Sequence, residues 1–321
     1  MKQVEHLLGY RGSIKVMDAT LRDGGLVNDF YFTDDFVKAL YKTNLEAGVD
    51  YMEMGYRASK KVFDETKFGK WKFCSDDHIR EIVGENDTDL KLAIMADIGR
   101  HDKNDFDEKV NSPVDMIRVA AYIHQMPEAI DMIEDAHKKG YETTCNIMAI
   151  SQTRESDLKV ALDMLGKTPV DTIYIVDSFG SIYPEEMKRI VDIYMEAATK
   201  YGKQLGVHAH NNQQLAFANT IEACGDGVNW LDATYKGMGR GAGNCAMELL
   251  LGFLKNPKYN TYPVFRFISD YMVKLEEDGV VWGYDLQYLM TGQLNQHPRT
   301  AIKFTKDKRK DYAEFYKELI V

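Results

Sequence analysis

Short apolar runs rich in β-branched residues recur along the chain, and segments with helical periodicity separate them. The runs cover residues 14–18 (IKVMD), 50–56 (DYMEMGY), 91–97 (KLAIMAD), 116–122 (MIRVAAY), 142–150 (ETTCNIMAI), 172–178 (TIYIVDS), 205–211 (LGVHAHN) and 230–237 (WLDATYKG). Between them, helical patterns fit residues 33–47, 76–83, 126–139, 155–165, 184–200 and 213–223. Thr33 reads as an N-cap, and Gly48 and Gly140 as C-terminal stops. Continuous rather than alternating apolar runs are what parallel strands buried on both faces need. Eight of them alternating with helices predict an α/β fold, a (β/α)8 TIM barrel, in preference to an open doubly wound sheet. The barrel domain is expected over residues 1–255. A mostly helical C-terminal extension is expected over 256–321, with helical patterns at 265–277 and 308–319.

Reactive groups in such a barrel gather where the strands end. Three polar clusters sit at those exits. The first is DATLRDGG, Asp18 to Gly25, where Arg22 and Asp23 can bring a cation and a carboxylate into one pocket, or form a surface pair on a turn. The second is HAHNN, in which His208 and His210, two apart on a strand, project from the same side and converge as metal ligands do. The third is KGMGRGAGN, whose glycines, Gly239 and Gly241 among them, let backbone N–H groups approach an anion or simply close the barrel in a tight turn. No GxGxxG follows the first strand, so a dinucleotide site is not expected. One carboxylate and two imidazoles from different strands suit a divalent metal: Mn²⁺ or Mg²⁺ first, with Co²⁺ or Zn²⁺ as alternatives.

Charge and composition narrow the partners. A formal net charge of −10 argues against nucleic acid, which demands a concentrated basic surface. No stretch is long and apolar enough for a spanning helix, and residues 1–12 lack a signal-peptide pattern, so a cytoplasmic location without membrane contact is expected. The four cysteines form no CxxC pair and are expected as buried thiols. The loop at 57–72 mixes basic and aromatic residues; it could meet an anionic substrate tail or be merely solvated.

DATLRDGG, HAHNN and GMGRGAGN resemble the DRE-TIM metallolyases, the HMG-CoA-lyase-like superfamily. Within it the run from His208 to Asn244 is similar to the class II pyruvate aldolases that act on 4-hydroxy-2-oxovalerate. The resemblance implies metal ligands at Asp23, His208 and His210, with Asn244 a further ligand in the lyase branch. It implies an enolate-stabilising role for Arg22 and a place near the substrate carboxylate for Ser178. Asp18 is expected to support Arg22 or the metal from behind, with Asn212 also behind the ligands. The aldolase branch has a proton-transfer histidine where this chain has Leu26; Tyr56, Tyr122, His101 and His124 are the candidates to replace it.

The implied activity is aldol cleavage or condensation of a 4-hydroxy-2-oxo acid, with pyruvate and an aldehyde as the small-molecule partners. Acyl-CoA condensation or cleavage is the main alternative, with Cys245 weighed there as a mobile-loop thiol. A non-catalytic metal-binding barrel in an assembly is the second. The region past residue 255 does not resemble the segment that docks an aldehyde dehydrogenase, and carries instead TGQLNQHPRTAI; a homo-oligomer stays open.

Overall fold

The computed structural model describes residues 13–102 and 105–321; the N-terminal stretch read above for a signal peptide lies outside them. Eight parallel strands close into a barrel in chain order. They are β1 (Lys15–Asp18), β2 (Tyr51–Tyr56), β3 (Lys91–Asp97), β4 (Met116–Ala121), β5 (Glu142–Ile147), β6 (Thr172–Asp177), β7 (Gln204–Ala209) and β8 (Trp230–Ala233), with β1 pairing β8 to complete the ring. All eight match the apolar runs of the sequence. Each is buried almost end to end, as strands under a coat of helices must be.

On the N-terminal side the barrel interior is filled by Met17, Tyr51, Ala93, Met116, Tyr174 and Trp230, which form one apolar cluster. Moving two residues along three of these strands replaces them with charged groups: Glu53 after Tyr51, Arg118 after Met116, Asp232 after Trp230. The period-two alternation of strand side chains therefore turns an apolar floor into a charged layer, and the charged layer into a site at the C-terminal mouth.

A one-turn helix α1 (Thr20–Gly24) leaves β1, and α2 (Asp34–Ala47) follows it. Thr33 caps α2 by accepting from the Phe36 N–H, and Gly48 ends it with φ +74°. A Cβ on Gly48 would also stand 2.4 Å from the Lys258 carbonyl, so glycine is required there twice over. The remaining barrel helices are α3 (Asp76–Val83), α4 (Met126–Lys138), α5 (Glu155–Gly166), α6 (Pro184–Tyr201), α7 (Ala216–Gly225) and α8 (Met247–Leu254). Among the described residues, the crossover from β3 to β4 holds only one 3₁₀ turn, Lys109–Asn111.

The C-terminal region is helical as expected, with two additions. α9 (Thr261–Phe267) runs through a π-helical turn, Ile268–Met272, into α10 (Val273–Glu277), so this rod begins four residues before the periodicity suggests. It lies on α2, with Phe267 and Phe36 ring centroids 5.2 Å apart. α11 (Leu286–Gln293) and α12 (Arg299–Lys306) were not foreseen, because Gly292 and Pro298 interrupt the pattern. α13 (Tyr312–Ile320) closes the chain, and Phe315 packs with Ala301 and Phe304 in a small separate core. Between α11 and α12, Asn295 ties the segment to the barrel mouth. Its Oδ1 accepts from Ser151 Oγ at 2.7 Å and Ser181 Oγ at 2.9 Å. No described helix is long and apolar enough to cross a membrane.

Candidate metal centre

The site starts at the exit of β1. Asp18 is buried, and its carboxylate accepts from the Thr20 N–H (2.9 Å), Thr20 Oγ1 (2.5 Å) and Asn44 Nδ2 (2.7 Å). It thereby starts α1 and ties it to α2. Burial pushes its carboxyl up to about 6 despite these donors. Its bonds go to Thr20 and Asn44 and not to Arg22, so Asp18 acts on the Arg22–Asp23 turn through the helix start.

That single turn presents Arg22 and Asp23 to the barrel axis. Arg22 donates from Nη1 to Asp23 Oδ1 at 2.7 Å and from Nε to Glu53 Oε2 at 2.8 Å. Opposite, β7 delivers His208, with His210 just beyond its end, their rings edge to face at 5.2 Å. Ligand atoms of Asp23, His208 and His210 all lie within 4.8 Å of one another, and the three residues are buried. Burial acts against ionisation of Asp23, but the basic groups around it, with the permanent charge of Arg22 at 2.7 Å, outweigh it and hold the carboxyl well below the usual range. Burial drives His210 well below an ordinary histidine, which favours the neutral imidazole that a metal requires.

Unpartnered atoms mark where an ion fits. His208 donates from Nδ1 to Asp232 Oδ2 at 3.0 Å, which leaves its buried Nε2 without a partner. A carboxylate on the far nitrogen of a ligating histidine fixes the tautomer and the ring orientation. Asn244, bridged to His210 across an isolated antiparallel pair, gives its Nδ2 to Asp23 Oδ2 at 2.5 Å, and its Oδ1 is also buried and unpartnered. One carboxylate, two imidazole nitrogens and an amide oxygen make a donor set suited to a divalent ion. The residues present fit a divalent metal ion.

The glycine loop serves this geometry by leaving room. A Cβ on Gly239 would stand 2.1 Å from Asn244 Nδ2 and 2.5 Å from Asp23 Oδ2. Neither Gly239 nor Gly241 is among the residues that line the cavity. Gly241 packs against Asn212. Asn212 in turn joins two loops, donating to Phe179 O at 2.9 Å and accepting from the Ala242 N–H at 3.2 Å.

Arg22, Asp23, His208 and His210 share one cavity of about 60 Å³ with Tyr56, Tyr122, Ser178 and Leu26. Of the four candidates to replace the missing histidine, the two tyrosines reach it. His101 lines a separate groove of about 480 Å³ beside Phe106 and α4, and His124 is exposed, stacked on Tyr122. The larger groove holds none of the ligand residues, so size does not mark the site. Burial, with Asp97 nearby, raises the Tyr56 phenol above its ordinary value, so it keeps its proton. In the loop after β2, Arg57, Lys60, Lys61, Lys67 and Lys70 pair with carboxylates, while Lys72 sits among the rings of Phe30, Tyr56, Phe63 and Phe68.

Several participants were missed by sequence reasoning. Glu53, Arg118 and Asp232 form a buried chain behind the site: Arg118 lies 2.9 Å from Glu53 and 2.7 Å from Asp232. A lone charge inside an otherwise apolar strand (YMEMGY, MIRVAA, WLDA) is the signal that could have found them, since a buried charge needs a partner. Arg240 stands inside the quoted glycine motif, and it lines the cavity together with His297 from the segment joining α11 to α12. His297 had no signal in the sequence.

The family model of the HMGL-like proteins matches residues 13–267. The chain belongs to the HMGL-like family. Among family relatives, an oxaloacetate decarboxylase of Mycobacterium tuberculosis is 28% identical over 75% of this chain and 69% of its own length. A 4-hydroxy-2-oxovalerate aldolase of Thermus thermophilus is 29% identical over 76% of this chain and 70% of its own. Among solved structures, the N-terminal domain of an aldolase-like protein from Bacteroides vulgatus superposes with a TM-score of 0.74. It is 29% identical and covers 91% of this chain and 97% of its own.

Proposed function

We propose that this protein is a divalent-metal-dependent carbon–carbon lyase that cleaves a 4-hydroxy-2-oxo acid to pyruvate and an aldehyde, or runs the reverse condensation. The observation that carries this reading is the convergence of Asp23, His208 and His210 on one point with Arg22 beside it in the same cavity. The aldolases and the decarboxylase among its relatives support the 2-oxo acid as substrate class. A divalent ion there, Mn²⁺ or Mg²⁺, supplies Lewis-acid polarisation of the 2-oxo group. Asp23, His208, His210 and the Oδ1 of Asn244 are the residues that would hold it.

The chain's own groups do the rest. Arg22 is held on two sides by Asp23 and Glu53, so its guanidinium faces the oxygen where negative charge develops as the C3–C4 bond breaks. A preorganised cation in that place lowers the barrier by about 3–4 kcal/mol on oxyanion-hole precedents. In the cleavage direction the C4 hydroxyl loses its proton, the C3–C4 electron pair passes to pyruvate as its enolate, and C3 then takes a proton. Tyr56 and Tyr122 are the groups placed for these transfers. Tyr56, which keeps its proton, suits the donating role. Ser178 accepts the Ala149 N–H at 2.9 Å, which leaves its own hydroxyl proton for substrate.

Acyl-CoA chemistry also occurs within the family, but the thiol weighed for it finds no support: Cys245 is buried, and burial pushes its thiol up to about 12. A purely structural metal site would have no use for Arg22. The test is exchange of the pyruvate methyl protons in D₂O, followed by NMR with Mn²⁺ or Mg²⁺. Exchange that vanishes with EDTA and in Arg22→Ala is expected. Absence of exchange in folded, metal-loaded protein overturns the pyruvate reading.

A further inference from the structure

Three arginines approach the site, and they differ in one respect. Arg22 and Arg118 are each neutralised by carboxylates at 2.7–2.9 Å. Arg240 forms no ion pair among the described residues. Its Nη2 donates to the Ser178 carbonyl at 2.7 Å, its Nε is buried without a partner, and its Nη1 lies 3.3 Å from His297 Nε2.

The ring of His297 is oriented by its other nitrogen. Nδ1 accepts the Arg299 N–H at 3.1 Å, so in the neutral ring the proton resides on Nε2. Burial and the neighbouring Arg240 and Arg299 push His297 down to about 4, so the ring is neutral at physiological pH. Phe179 packs edge to face on it at 5.7 Å, and Asn295 anchors its segment to the mouth. With Nδ1 accepting from Arg299, the Nε2–H of His297 and the Nη1 of Arg240 are two donors 3.3 Å apart that share no protein acceptor. Ser178 adds a third donor on the same cavity wall. An oxygen anion is the group that satisfies all three.

The charge count agrees. A divalent ion with Asp23 carries one net positive charge, which the carboxylate of a chelating 2-oxo acid cancels. With Asp23 assigned to the ion, Arg22 and Arg118 are balanced by Glu53 and Asp232, leaving Arg240 without a carboxylate partner. Arg240, His297 and Ser178 line the same cavity as Asp23, His208 and His210, so the balancing anion is a carboxylate carried on the same substrate.

We propose that Arg240, His297 and Ser178 form a second anion subsite, and that the substrate is a 2-oxo dicarboxylate, its 2-oxo acid end at the metal and its distal carboxylate bridging Arg240 and His297 from the cavity side. This rests on the metal-centre reading above and adds the class of the second substrate half: an aldehyde or ketone that itself carries an acid group.

Binding of two five-carbon acids to the Mn²⁺-loaded protein, 2-oxoglutarate and 2-oxopentanoate, tests this by water-proton relaxation and calorimetry. They differ only in the distal carboxylate. The diacid is expected to bind at least tenfold more tightly. In Arg240→Met and in His297→Phe that ratio falls toward one while 2-oxopentanoate affinity stays within about twofold. His297→Gln, which keeps an N–H donor, retains part of the preference. Equal binding of the two acids by the unaltered protein overturns the subsite and leaves the 2-oxo acid reading standing. Equal loss of both acids in Arg240→Met assigns Arg240 to the common carboxylate and also overturns it. Failure of both acids to bind the metal-loaded protein overturns both readings together.

Discussion

Glu53 Oε2 accepts the Nε of Arg22 at 2.8 Å, although 31 positions of chain separate them. The bond steers the guanidinium from the rear, and Glu53 is itself held by Arg118, which in turn holds Asp232 behind His208. Arg22 and His208 are thus two ends of one buried ionic chain.

Glu53→Gln keeps the shape of this chain and removes its central charge. Outer partners of this kind are worth about 10–100-fold in activity. The expected outcome is a fall of that size in kcat with KM for the 2-oxo acid little changed, measured by steady-state kinetics. Arg118→Met strands both carboxylates and is expected to cost about 3–5 kcal/mol of stability in urea unfolding.

Gly239→Ala inserts a methyl where Asp23 and Asn244 meet. Neither can retreat without leaving the ligand cluster, so Mn²⁺ affinity should weaken by roughly 10–100-fold. Titration of free Mn²⁺ by electron paramagnetic resonance reads this directly, and an unchanged circular dichroism spectrum separates it from misfolding.

Metal binding should stabilise the fold by mass action. With ion at a hundredfold excess over Kd the gain is about 2.7 kcal/mol. The thermal midpoint should rise by several degrees with Mn²⁺, return with EDTA, and not move in His208→Ala. An equal shift in that variant would place the ion elsewhere.

Asp177 supplies a pH signature. Its buried carboxylate accepts the Ser181 and Ile182 N–H groups at 3.0 and 3.3 Å, and burial pushes it up to about 7. An unfolded aspartate titrates near pH 3.9. Between about pH 4 and 7 the folded state therefore binds more protons than the unfolded one, and this group's contribution falls as pH rises. The stability margin of the unaltered protein over Asp177→Asn should shrink from pH 5 to pH 8, read from urea midpoints; a margin that grows contradicts the assignment.

The barrel was legible because continuous apolar runs have one economical solution, and His208 and His210 because a two-residue spacing on a strand admits one geometry. Asp23 and Arg22 were legible as a pair by resemblance, but not the single helical turn that aims them. Glu53, Arg118 and Asp232 escaped notice because an isolated charge says that it needs a partner without saying which. His297 escaped for a different reason. Its position depends on how α11 and α12 fold back, and that is set by Asn295 and a three-residue apolar cluster too small to leave a periodic pattern.

The family match ends at residue 267, while His297 stands thirty positions later in the wall of the same cavity. Of the proposed rim, Ser178 and Arg240 thus lie inside the matched stretch and His297 beyond it. Mutations in the later stretch can retune which acids are admitted while the reacting centre stays untouched. Relatives that share every ligand residue can diverge in diet through their tails alone.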